Sequence, residues 1–138
     1  MPTPDRVRDL VAHVERGQIF EALDAFYAAD VVMQENTQPP TVGKSANVER
    51  ERAFLAGIAR LDRYHATAIL VDGERAVINW VADFVGTDGR HYHFDQLAFQ
   101  TWRGEGDAAR IVHERFVYDS ASIVAAEHPD VSASGRVA

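Results

Sequence analysis

The sequence predicts an α+β domain in which three N-terminal helices cover a curved, mixed or antiparallel sheet, in the order α-α-β-α-β-β-β-β. Apolar residues recur at helical spacing up to about residue 61, broken by one short β-rich segment. Beyond residue 63 they recur at every second position, punctuated by Asp-Gly turns. The length of 138 residues is close to the commonest size for one domain.

Thr3 before Pro4 provides a helix cap and a first helical position, and Val7, Leu10, Val11 and Val14 then form one apolar stripe. This first helix is expected to run to about Gly17. A second stripe, Ile19, Leu23, Phe26 and Tyr27, predicts a helix ending near Asp30. The segment 31–36 opens with Val31 and Val32 and runs into Pro39-Pro40, which suits neither a helix interior nor a central strand, so it reads as a short strand entering a loop. Past Gly43, Ser45 or Asn47 can cap a third helix carrying Val48, Phe54, Leu55 and Ile58, with Glu49 to Arg52 as its wet face and an end near Leu61. Asp72-Gly73, Asp88-Gly89 and Gly104-Glu-Gly-Asp107 then separate four strands at about 63–71, 75–86, 90–103 and 109–119. Aromatics on both parities of 90–103 suggest a sheet covered on both faces, with a bulge. The domain is expected to occupy 1–124, followed by a loosely ordered tail at 125–138.

Composition narrows the function. A hydrophobic content of 46% with 25% charged residues is that of an ordinary globular protein. No apolar run approaches the roughly 18 residues that span a bilayer. The N-terminus lacks a secretory pattern, so a cytoplasmic location is expected and no membrane partner. The absence of cysteine excludes disulfides and thiolate chemistry, and a net charge of −7 argues against nucleic acid.

Several residues carry candidate chemistry. Glu35 closes a strand beside Val31 and Met33, where an ionised carboxylate is costly unless a partner or ligand compensates it. It reads either as a general base or as a strand-end acid paired with Lys44 or an arginine. His91 and His93 share one sheet face, with His113 on the next strand, a pattern open to metal chelation or to a plain polar surface. The surface reading is preferred, so no metal is expected, while His93 remains a candidate proton shuttle. Ile78, Trp80, Ala82 and Phe84 share a parity and form a candidate pocket wall. Tyr27, at the end of the second helix, can turn its hydroxyl into the same space. Gly43-Lys44-Ser45 is not a phosphate loop, since Gln38 stands where the first glycine belongs, and no Gly-x-Ser-x-Gly elbow starts a hydrolase triad.

Phe26-Tyr-Ala-Ala-Asp30 before the first strand, Gly43-Lys-Ser at a helix start, Asp88-Gly89, and Ile111-Val-His-Glu-Arg-Phe-Val-Tyr-Asp119 as closing strand together resemble the SnoaL-like proteins of the nuclear transport factor 2-like superfamily, over roughly residues 5 to 123. The resemblance implies a cone-shaped fold whose helices and concave sheet enclose a pocket for a small, largely apolar organic ligand, with a homodimer formed through the sheet. It implies cofactor-free isomerase, cyclase or dehydratase chemistry on a carbonyl compound, or a non-catalytic binding or assembly module, since one scaffold carries all of these. By the resemblance Glu35 matches the catalytic carboxylate of the steroid isomerase branch. That branch's phenol and second acid fall instead at Leu10 and near Ala98, so its oxyanion hole is missing. The resemblance also turns Glu114, Phe116 and Tyr118 inward, making Glu114 a second pocket acid or the partner of an arginine. The expected catalytic set is thus Glu35, His93 and Glu114, with Tyr27, Met33, Trp80, Phe84, Gln96, Phe116 and Tyr118 lining the ligand. One bulge in 90–103 would exchange Gln96 for Asp95.

Overall fold

Helix α1 (Pro4–Glu15) starts at its cap: the Arg6 amide donates to the Thr3 hydroxyl, and Val7, Leu10 and Val11 are buried. These features belong to a computed structural model that describes residues 1–122, so the tail expected from residue 125 lies outside the described residues. After Gly17, whose φ of +80° suits glycine, α2 (Ile19–Phe26) buries Ala22, Leu23 and Phe26.

The first departure from expectation follows immediately. Helix α2 stops at Phe26, and strand β1 (Tyr27–Glu35) begins at Tyr27, so this tyrosine opens a strand instead of ending a helix. The cause is tertiary: Tyr27 pairs in parallel with Ile111 of β6 (Arg110–Val117), and that ladder outweighs the helical preference of Ala28 and Ala29. The two-residue strand β2 (Thr41–Val42), which the prolines had masked, pairs with β1 across Val32 and Met33.

Helix α3 (Lys44–Ala56) is capped at Gly43, φ +95°, and not at Ser45 or Asn47. The Gly43 amide donates to Val31 O at 2.7 Å, which fixes the chain direction before the helix opens. Asn47 is buried and donates its amide to the carbonyls of Thr41 and Gly43. The helix also ends early: β3 (Ile58–Asp72) takes over at Ile58, because the antiparallel ladder to β4 (Arg75–Gly86) extends as far as Ile58 opposite Gly86, with three register shifts.

Strand β5 (His91–Arg103) completes a curved six-stranded mixed sheet of order β2-β1-β6-β5-β4-β3, in which β1 and β6 are the parallel pair. Its inner face carries Ile78, Trp80 and Phe84 of β4, Gln96, Ala98, Gln100 and Trp102 of β5, and Ile111 and Glu114 of β6, all buried against the helices. The parity of β5 is thereby settled: Gln96 faces inward, and Asp95 faces outward, accepting from Asn79 Nδ2 at 2.8 Å. No helix among the described residues is long and apolar enough to cross a membrane.

Candidate functional site

The helices leave a cleft over the sheet with cavities of about 320, 200 and 40 Å³. Glu51 and Tyr64 line all three, so the cavities are neighbours around one junction. Phe54 and Phe84 wall the largest. Glu35, Arg50, Phe94 and Gln96 line the second. Tyr27, Met33, Trp80 and Glu114 line the innermost, which has room for one water-sized polar group.

Glu114 is 1% exposed. Its register partner on β5 is Gln100, whose Nε2 donates to Oε2 at 2.7 Å, and the Tyr27 hydroxyl donates to Oε1 at 2.5 Å. Gln100 is itself oriented by Trp102, whose indole N–H donates to its Oε1 at 3.0 Å. Burial pushes the Glu114 carboxyl up to about 7. The two donated hydrogen bonds pull it back, the negative Glu51 raises it further and Arg50 lowers it. Burial, then the neighbouring Glu114, drives the Tyr27 phenol well above its ordinary range, so it stays a donor. Among the described residues no arginine is bonded to Glu114: Arg115, next along β6, points outward and donates to Asn36 O at 3.0 Å.

Glu35, at the end of β1, belongs to a second group. Arg50 of α3 reaches it at 2.5 Å, and the Tyr118 hydroxyl donates to its other oxygen. Of the readings open to it, arginine pairing is the one present; Lys44 instead donates to Asp24 O. Tyr118 stacks on Phe94 with ring centroids 5.8 Å apart, and burial followed by the Glu35 hydrogen bond raises its phenol. Arg50 Nε is buried without an acceptor among the described residues.

The remaining expected residues divide. Phe116 lines both inner cavities. Trp80 packs on Tyr64, with centroids at 5.1 Å, and Phe84 stands against Phe54. His93 corrects the expectation. It shares the outer face with Asp83, to which its Nδ1 is bonded at 2.7 Å, and the sheet separates it from Glu114. The three histidines do not converge either, since His91 is in register with Val85 while His113 is opposite Thr101. Ten residues of β5 separate those positions, about 33 Å of strand. No cluster of three or more possible metal ligands occurs among the described residues.

Arg50 and Glu51, read from sequence as part of the wet face of the third helix, instead line the cleft, and Tyr64 and Gln100 were not singled out. One signal was available: Glu51 lies three residues after Val48 and four before Leu55, on the apolar side of α3. Tyr64 and Gln100 carried none, because their facing depends on the registers of β3 and β5.

A helix-covered, curved mixed sheet with a buried carboxyl beneath a cleft defines an α+β protein of the nuclear transport factor 2-like kind. The sequence model of the SnoaL-like domain matches residues 7–114, and the chain belongs to that family. No curated protein matches the chain. Solved structures of similar fold include a protein from Mesorhizobium loti described as a candidate SnoaL-like polyketide cyclase. It is 16% identical, with a TM-score of 0.72 over 81% of this chain and 95% of that one. Another is a protein of unknown function from Burkholderia pseudomallei described as NTF2-like, with 18% identity, a TM-score of 0.70 and coverage of 85% and 90%. A third is IdmH from Streptomyces antibioticus, described as a candidate polyketide cyclase, at 19% identity and a TM-score of 0.66 over 86% and 93%.

Proposed function

We propose that this SnoaL-like protein binds a small, largely apolar carbonyl compound in its cleft and isomerises, cyclises or dehydrates it by cofactor-free general acid–base catalysis. The carrying observation is Glu114, a carboxyl held near neutrality at the floor of the cleft. At pH 7 such a group populates both forms and can take a proton from one carbon and return it to another atom. Glu114 is the proton carrier and Tyr27 steadies its ionised form through the 2.5 Å hydrogen bond. Glu35, engaged by Arg50 and Tyr118, serves as part of the rim that orients the ligand. The descriptions of the Mesorhizobium and Streptomyces proteins as cyclase candidates favour the same chemistry.

The test uses 2-tetralone, an apolar ketone with exchangeable α-hydrogens, incubated with the protein in D2O and followed by mass spectrometry. Wild type accelerates deuterium uptake, and Glu114→Gln lowers the acceleration by on the order of a hundredfold. Equal rates in the two proteins would remove Glu114 from the chemistry.

A non-catalytic binder is the second reading, favoured by the full engagement of both Glu114 oxygens. It predicts binding of 2-tetralone with no exchange above background. We further propose that the outer sheet face, where Leu97, Phe99 and Val117 are 45%, 41% and 44% exposed, pairs two copies into a homodimer.

A further inference from the structure

Two polar side chains at the junction of the cavities have no use in the acid–base scheme. The Tyr64 hydroxyl and the Glu51 carboxyl each line all three cavities, and neither makes a side-chain hydrogen bond among the described residues. Both groups are half-buried and open onto the cleft, where a ligand's polar group can take the place of solvent. Their surroundings are aromatic and aliphatic: Tyr64 rests on Trp80, and Phe54, Phe84 and Phe116 complete the walls. Burial raises both groups, so the phenol is a donor throughout the physiological range. The two differ in kind, since one donates and the other accepts.

A ligand group that accepts from one and donates to the other satisfies both at once, and a hydroxyl is the simplest that does so. Charge excludes the obvious competitor, an anionic group. The cleft contains Glu35, Glu51 and Glu114, and of its two arginines Arg50 is committed to Glu35 and Arg63 to Asp83. Each lining arginine already faces a carboxylate, so a ligand carboxylate would enter a cleft with an excess of acidic groups.

We propose that Glu51 and Tyr64 form a hydroxyl-recognition subsite, making the preferred ligand a neutral compound whose apolar skeleton carries a hydroxyl at the cleft junction. The proposal rests on the cleft being the ligand site, and it adds that these two residues set specificity while Glu114 does the chemistry. The ligand hydroxyl donates to the Glu51 carboxylate and accepts from the Tyr64 phenol. Neither residue enters the proton-transfer step.

Isothermal titration calorimetry with 2-naphthol and 2-methoxynaphthalene isolates the subsite, because the ether accepts but cannot donate. Wild type binds the naphthol about tenfold more tightly, the equivalent of one hydrogen bond to a charged group. In Glu51→Met the preference falls to less than about twofold, since the acceptor is gone. Tyr64→Phe, which removes an oxygen with no protein partner and leaves folding intact, weakens both probes by a similar factor of about three to ten. Glu114→Gln retains the naphthol preference while losing tetralone exchange, which separates this subsite from the catalytic assignment. Equal affinity of wild type for the two probes, or a preference that survives Glu51→Met, overturns the subsite even if exchange at Glu114 is found. Failure of the naphthol to bind wild type overturns it as well.

Discussion

Glu114 links the pH dependence of stability to that of activity. Its carboxyl lies near 7 in the folded protein against an ordinary value of 4.5, so the folded state holds this proton more tightly than the unfolded chain. Between those values the unfolded state binds fewer protons, and unfolding free energy therefore falls as pH rises. The contribution is fully present below about 4.5, is lost as pH rises through about 7, and amounts to on the order of 3 kcal/mol. Urea unfolding of wild type and Glu114→Gln at pH 5 and pH 8 should show the difference between the two proteins shifting in favour of the variant at the higher pH; a difference that does not move removes the raised carboxyl. If Glu114 is the base, exchange of 2-tetralone rises with pH to a plateau with a midpoint near that same value. Tyr27→Phe deletes a donor to the carboxylate, so that midpoint moves upward, and the protein loses about 1–3 kcal/mol. A downward shift in the rate profile would contradict the assigned direction of the Tyr27 hydrogen bond. Glu114 was readable as a pocket acid only through the family resemblance, since alternation with Phe116 says that the two share a face and not which one, and its partners were not readable because Tyr27 lies 87 residues away in sequence.

At the scale of elements, the site depends on how the N-terminal helices are held to the sheet. Arg6 of α1 donates from Nε and Nη2 to Ala109 O and from Nη2 to Ala25 O, and its guanidinium lies 4.4 Å from the Phe26 ring centroid. One side chain thus ties α1 to the end of α2 and to the start of β6, the two places from which Tyr27 and Ile111 begin their pairing. Arg6→Met keeps the apolar stem and strips the donors, leaving two carbonyls short of partners at a cost of about 2–3 kcal/mol, readable by urea unfolding. A loss within experimental error would show that water replaces the guanidinium. The helix stripes of α1 and α2 and the turns at Gly73 and Gly89 were legible, since each follows from local periodicity or a glycine with positive φ. The boundaries at Tyr27 and Ile58 were not. At both, a strand partner from elsewhere in the chain takes residues that local preference assigns to a helix.

For the whole molecule, the two faces of the sheet have different fates. The inner one is covered by helices and holds the cleft, while the outer one leaves Leu97 opposite Val117, with Arg75 lying over Phe99. Light scattering after gel filtration should give a mass twice the 15.3 kDa of the chain, and Leu97→Lys with Phe99→Glu should return the monomer while leaving the helical circular dichroism unchanged. A monomeric wild type would end the dimer proposal. The same division explains His93, read from sequence as a polar-surface residue or else a proton shuttle, which lies on the outer face bonded to Asp83. By itself the sequence determined the α+β class, the order of most elements and the apolar inner stripe of β4, because hydrophobic periodicity is a local record of which face meets the core. Only the tertiary structure decided that Gln96 turns inward, that Glu35 is bound by Arg50, and that Tyr27, Gln100 and Glu114 meet in one buried network. Register shifts choose the face of a strand residue, and hydrogen-bond partners distant in the chain choose its proton affinity; neither leaves a mark in local sequence.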